Sequence, residues 1–274
     1  MNEVALLGIG LLTGVTTVLF GFGGGFVAVP VVVWANAALG ADAIRVATAT
    51  SALVMLVNAA FATAVTPRRV LTALRGSGPL LALLAVGGAA GALATRHAEA
   101  GQAHFGFVAY VALTVVDLLL RPGFLRPRGH VRESREAHSE ETREVPRPLP
   151  AVLGAPIGAV AAFLGVGGSV MTVPALRRAG HPMRVATALA NPLTLAIALP
   201  ATALSLTGTD AVAAHTHPHL VGLVDLRAAG ALLLGALPVI AVLRRRPPRI
   251  PDRAHAWSYL ALLGVVEVAI LLAG

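Results

Sequence analysis

The stretch GFGGGFVAVP, residues 21–30, places three consecutive glycines and a proline inside an otherwise apolar run. Glycine weakens a helix interior and proline removes a backbone donor, so one continuous helix through these residues is disfavoured. The pattern returns as GVGGSVMTVP at 165–174, and RVATAT at 45–50 returns as RVATAL at 184–189. Gly21 and Gly165 are offset by 144 residues and Arg45 and Arg184 by 139, so the chain is an internal duplication whose second copy is slightly shortened between the two landmarks.

The surroundings of both motifs are those of a membrane protein. The chain of 274 residues is 56% hydrophobic and 12% charged with mean hydropathy +0.79, too apolar for an ordinary soluble domain. Runs at 46–66, 77–95, 103–120, 185–207, 220–243 and 255–273 approach the roughly 20 apolar residues that a helix needs to cross a bilayer. The first run starts at Val4 without a basic segment ahead of it or an A-x-A site after it, and reads as part of the mature protein. The absence of cysteine excludes disulfides and thiolate sites. All 21 basic residues are arginine. Their placement is that of charges fixing membrane topology, so nucleic acid is not expected as a partner.

Arg68, Arg69 and Arg75 mark the loop 67–76 as cytoplasmic, as the seven arginines of 121–150 mark that segment and Arg244, Arg245, Arg246, Arg249 and Arg253 mark 244–254. The segment 96–102 holds only Arg96 and 208–219 holds no arginine, which places both outside. Counting crossings puts the N- and C-termini outside as well, provided residues 4–39 enter and leave on one face. The expected fold is an all-α polytopic protein of the cell membrane with about eight to ten membrane segments. Residues 1–120 form a first repeat, 121–150 a charged cytoplasmic linker and 151–274 a second repeat. Each repeat is a glycine-broken helical hairpin followed by three spans, and because three is odd the second repeat is inverted. The arms 4–20, 26–39, 151–164 and 169–176 are mostly too short to span.

Glycine-interrupted apolar segments at matching positions of inverted halves point to a transporter's substrate site. Helices starting near Gly25 and Ser169 would aim their positive ends at one point, and glycine lets backbone amides approach a ligand closely. Gly23, Gly24, Gly25, Gly167, Gly168 and Ser169 are therefore the expected anion cradle. The other reading of these glycines is close helix packing.

These residues resemble the sulfite exporter TauE/SafE family, also called the 4-toluene sulfonate uptake permease family. The likeness rests on Gly21, Gly23, Gly24, Gly25, Val29 and Pro30, repeated as Gly165, Gly167, Gly168, Val173 and Pro174. It extends to Ala47, Thr48, Ala49, Thr50 and Ser51, and to Val224 and Asp225 ahead of Gly230 and Gly235. The chain departs from the family pattern at Ser169, which replaces the third glycine, and at Leu189 and Ala190, which stand where a second Thr-Ser pair would fall. The resemblance implies secondary transport of small sulfur-containing anions such as sulfite, sulfonates or thiosulfate. An anion channel, or a carrier for another small organic anion, fits the same repeats. A membrane-embedded enzyme would need a cluster of acids and histidines or a nucleophile with its base, and the spans offer only isolated acids.

Thr50, Ser51 and Asn58 in the first long span and Asn191 in its counterpart are candidate substrate contacts, with Thr48, Thr187 and Thr194 weighed beside them; the alternative for each is a bond between helices. Arg45 and Arg184 occupy equivalent positions and suit the two entrances, or else snorkel at the interface. Asp117 and Glu267, each after two valines, are candidates for coupling to protons. Asp117 also stands four residues before Arg121, where an ion pair would neutralise it. His215, His217 and His219 read as an external loop rather than a metal site. No catalytic residue, metal or cofactor is expected. The expected partners are a small anion, the lipid bilayer, a proton as coupling ion and a second copy of the chain in a homodimer.

The chain has no cysteine of its own. A single cysteine introduced within 67–76 or 121–150 should therefore resist a membrane-impermeant thiol reagent in intact cells, while one within 208–219 should react. The reverse labelling pattern would overturn the inverted topology.

Overall fold

The computed structural model of the protein describes residues 3–98, 100–125, 148–207 and 219–273. Most of the segment read as a linker, together with His215 and His217, lies outside the described residues. The described residues are mostly helical. The interruption at the opening glycines is real: α1 (Glu3–Phe20) ends one residue before Gly21, and α2 (Gly25–Ala35) starts on the last of the three consecutive glycines. A long helix α3 (Ala43–Ala64) follows, then a single turn α4 (Arg68–Leu71), α5 (Gly78–His97) and α6 (Ala100–Leu120). The order then repeats. A broken pair α7 (Gly154–Leu164) and α8 (Ser169–Arg178) precedes α9 (Met183–Thr207), α10 (Leu226–Arg245) and α11 (Asp252–Ala273). α3, α5, α9 and α10 are each long and apolar enough to cross a membrane, and the chain is a multi-pass membrane protein. α2 and α8, at 11 and 10 residues, rise only about 15 Å and cannot.

One expected span needs correction. The apolar run from 220 does not start as a helix: Leu220–Val221 and Val224–Asp225 form a two-stranded hairpin around Gly222. Gly222 lies at φ +59°, a backbone that ends helical propagation. Asp225 then caps α10, its carboxylate accepting from Ala228 N–H at 3.0 Å. The hairpin is fastened to the first half, because Asp225 N–H donates to Thr50 Oγ1 at 2.9 Å and Asn36 Nδ2 donates to the Asp225 carboxylate at 3.3 Å.

The two halves exchange helices. α1 lies along α10, and α7 lies along α5. Both pairs come close through glycine: a β-carbon added at Gly10 would sit 2.5 Å from the Leu232 carbonyl oxygen and one at Gly14 2.6 Å from that of Ala236. In the other pair a β-carbon at Gly154 would sit 2.7 Å from the Leu80 oxygen, and one at Gly158 would collide with the Leu84 oxygen. Small residues four apart allow this approach, which lipid-embedded helices need because van der Waals packing replaces the hydrophobic effect between them. α3 and α9 cross at the centre, and an aromatic cluster of Phe20, Phe22, Phe26, Phe107, Phe124 and Tyr259 closes the side facing α6 and α11.

Gly14→Leu and Gly158→Leu should each destabilise the protein in detergent by about 1–3 kcal/mol through overpacking. Gly8→Leu, where a β-carbon meets nothing within 4 Å, should stay near the unsubstituted midpoint. Equal melting temperatures for all three variants would remove the packing role.

Candidate functional site

The two glycine turns meet at the centre of the molecule. Gly21, Gly23 and Gly24 take φ of +76°, +63° and +90°, and Gly165 and Gly167 take +68° and +75°. These left-handed values explain why glycine stands there, and they bring the chain from one short helix into the next within four residues. The turns pack reciprocally on the two RVATA helices. A β-carbon at Gly21 would lie 2.6 Å from the Thr187 oxygen on α9, and one at Gly165 would lie 3.1 Å from Thr48 Cα on α3. Thr48 and Thr187 are equivalent under the 139-residue offset. At the midpoint, Thr194 Cγ2 would be 3.2 Å from a β-carbon at Gly23 and 3.3 Å from one at Gly167. Met55, its repeat equivalent, lies on the other side, with Cβ 3.5 Å from the same point at Gly23 and Sδ 2.9 Å from that at Gly167.

Several residues singled out in the sequence converge here. Ser51 Oγ donates to the Gly165 oxygen at 2.9 Å, and Asn58 Nδ2 donates to the Gly23 oxygen at 3.2 Å. α2 and α8 begin at Gly25 and Ser169, next to the two turns; Val27 and Met171 already donate to the Gly24 and Gly168 oxygens, which leaves the first two amides of each helix, Gly25 and Phe26 and Ser169 and Val170, without a backbone acceptor among the described residues. Ser169 Oγ, Thr194 Oγ1 and Asn58 Oδ1 are buried there without a partner. Two other candidates point elsewhere. Thr50 spends its hydroxyl oxygen on the Asp225 amide, and Asn191 Nδ2 donates within its own helix to the Thr187 oxygen at 3.1 Å, leaving Oδ1 buried and unpartnered. Met55 was not evident from residue type, yet the repeat register that pairs it with Thr194 would have placed it.

Next to the turns is a cleft lined by Arg45, Arg96, Thr48, Ala52 and, from the hairpin, Leu223. Thr48 is thus shared between the cleft and the Gly165 turn. Arg45 is held 3.3 Å from Asp42 and donates to the Ala98 oxygen at 3.3 Å. Arg96 donates to the Leu204 oxygen and has no carboxylate partner among the described residues. Arg184, the equivalent of Arg45, is exposed at the start of α9 and near enough to Arg244 to feel its charge, while Arg244 Nε and Nη2 are buried without a partner. Each repeat's RVATA arginine therefore has a second arginine close to it.

The acids differ from one another. Asp117 is bound twice, by Arg121 at 3.1 Å and by Arg178 at 2.6 Å. Glu267 is half-buried with Oε2 unpartnered. Near Asp117, the end of α8 is anchored by Arg177, which is fully buried and bonds Asp252 at 2.7 Å and the Phe124 oxygen at 2.9 Å. Phe124 falls within the charged segment 121–150, so the start of that segment is packed into the fold. His181, in the turn after α8, is held below the ordinary histidine pKa by burial. Tyr259 on α11 donates to the Ser169 oxygen at 3.1 Å and so braces the start of α8.

A family model described as Sulfite exporter TauE/SafE matches residues 6–270, from the first turn of α1 to the last of α11. No curated protein and no solved structure matches the chain. The matched span includes both glycine turns, the hairpin that ends on Val224 and Asp225, and every long apolar helix. A membrane fold whose two halves meet at the repeated motif and a family match over that whole fold agree: the chain belongs to the sulfite exporter TauE/SafE family of membrane transporters.

Proposed function

We propose that the protein is a secondary transporter that carries small sulfur-containing anions, such as sulfite, sulfonates or thiosulfate, across the cytoplasmic membrane. The observation that carries this reading is that two short helices start, at Gly25 and Ser169, from glycine turns that touch each other, with buried hydroxyls that have no protein partner. Helix N-termini favour anions, and an unpaired buried hydroxyl is a donor waiting for an acceptor. Amides of Gly23–Gly25 and Gly167–Ser169 bind the anion, Asn58 and Ser51 hold the turns in place, and Arg45 and Arg184 draw anions to opposite entrances. The repeats are inverted in the membrane with both termini outside; the exchanged pairs α1–α10 and α5–α7 support this, since they interchange under a two-fold relation between the halves. Glu267, with a free carboxylate oxygen, is the proton-coupling residue in this scheme. Asp117, tied to two arginines, holds the end of α8.

A panel of sulfite, thiosulfate, a sulfonate and sulfate, with neutral and cationic controls, tests the reading in proteoliposomes. Saturable uptake with counterflow of at least one sulfur anion is expected, and preference for a cation would reject it. Gly168→Ala is the cleaner probe of the cradle. Gly168 has φ −75°, so the backbone tolerates alanine, and the new methyl is crowded only by the movable end of Ile197 at 2.5 Å, with Ile157 and Thr172 at ordinary contact distance; Gly24 at φ +90° would strain instead. Gly168→Ala should raise the half-saturating concentration about tenfold, or about 1.4 kcal/mol, at nearly unchanged melting temperature. Normal affinity would return the glycine to a packing role.

Glu267→Gln should abolish the response of uptake to a pH gradient while substrate exchange persists. An unchanged response would leave the carboxylate without a part in coupling.

A further inference from the structure

Met55 stands in the middle of α3, 1% exposed, and its thioether fills the space between the two glycine turns. A β-carbon at Gly25 would collide with Met55 Sδ, and one at Gly167 would lie 2.9 Å from it. The side chain therefore occupies the point where the N-terminus of α2 comes nearest to the second turn. Around it are groups that a thioether cannot satisfy. Thr194, whose methyl approaches both turns, has its hydroxyl unpartnered, as has Ser169. Sulfur in a thioether is only a weak acceptor, so a polar site is here filled by a nearly apolar plug. Unbranched Met has three rotatable bonds and can swing aside without moving backbone, which a β-branched residue could not do as freely.

We propose that Met55 sets which anions the crossing admits: its side chain fills the anion position when no substrate is bound, swings away on binding, and limits the size of the group attached to the anionic centre. The proposal rests on the anion-transport reading above and adds the residue that sets specificity within it. The two halves divide the task. Thr194 and Ser169, on the second half, offer hydroxyls to the oxyanion, while Met55, standing where the repeat has Thr194, meets the less polar substituent. The anion is thus held in one orientation although the scaffold around it is repeated.

The test is a size series in proteoliposomes, run in parallel with sulfur anions (sulfite, methanesulfonate, 4-toluenesulfonate) and carboxylates (formate, acetate, benzoate). The ratio of large-anion to small-anion uptake should rise at least about fivefold in Met55→Ala and fall in Met55→Ile. Met55→Leu, similar in volume, should stay within about twofold of the unsubstituted protein. Melting temperatures of the three variants separate a changed site from a damaged fold, since loss of packing alone lowers uptake of every anion without altering the ratio. An unchanged ratio in Met55→Ala, in both series, overturns the assignment. A ratio that shifts among carboxylates while no sulfur anion moves keeps Met55 and rejects the sulfur reading; a protein that moves no anion of either series rejects both.

Discussion

A helix interrupted deep in a bilayer leaves carbonyls and amides that water cannot reach, and everything else in this structure depends on how those groups are met. The carbonyl of Gly23 is taken by Asn58 and that of Gly165 by Ser51, so one helix, α3, serves the interruption in both halves. The equivalent positions on α9 are Ala190 and Ile197, which give apolar contact instead, to Gly21 and Gly168. Duplication supplied two matching frameworks. The hydrogen bonding that keeps both turns rigid now resides in one copy, and the unpaired hydroxyls of Ser169 and Thr194 reside in the other.

The same division recurs at the far ends of the short helices. α8 closes on Arg177 and Arg178, anchored to Asp252 and Asp117, whereas the matching positions of α2 are Val33 and Trp34, with Trp34 largely exposed. Removing Asp252 would leave the buried Arg177 guanidinium uncompensated, a cost of about 3–5 kcal/mol, so the end of α8 is held far more firmly than that of α2. Two helices that look alike by their glycines and prolines therefore differ in how freely each can shift.

Much of this was legible in the residues themselves. The repeat, the break at the glycines, the short arms and the six long helices follow from hydropathy, spacing and backbone chemistry, and each observed long helix overlaps its expected run. Polarity and, for Ser51, family likeness single out Ser51 and Asn58 as substrate contacts or helix-bonding groups, but neither tells that their partners are the carbonyls of the glycine turns. The hairpin at 220–225 was hidden because its residues are apolar enough to pass for the first turn of α10, and only the positive φ of Gly222 with the capping carboxylate of Asp225 separates them. The bond that draws Thr50 to that hairpin could not be inferred, since a hydroxyl on a helix has several faces to choose from. Met55 does not stand out by residue type, because methionine in an apolar helix is ordinary and its meaning depends on which glycines lie opposite.

The exchange of helices also governs how the protein is made. α1 leaves the ribosome well before α10, yet the face carrying Gly10 and Gly14 is shaped for α10, which begins about 200 residues later. At roughly 5–20 residues per second, α1 waits on the order of 10–40 s with its glycine face against lipid or the insertion machinery. α7, by contrast, emerges after its partner α5 is already in place. The second half is thus threaded into a first half that stays open until α10 arrives, and a chain stalled before residue 226 would present to the membrane's quality control a helix whose intended neighbour has not yet been synthesised.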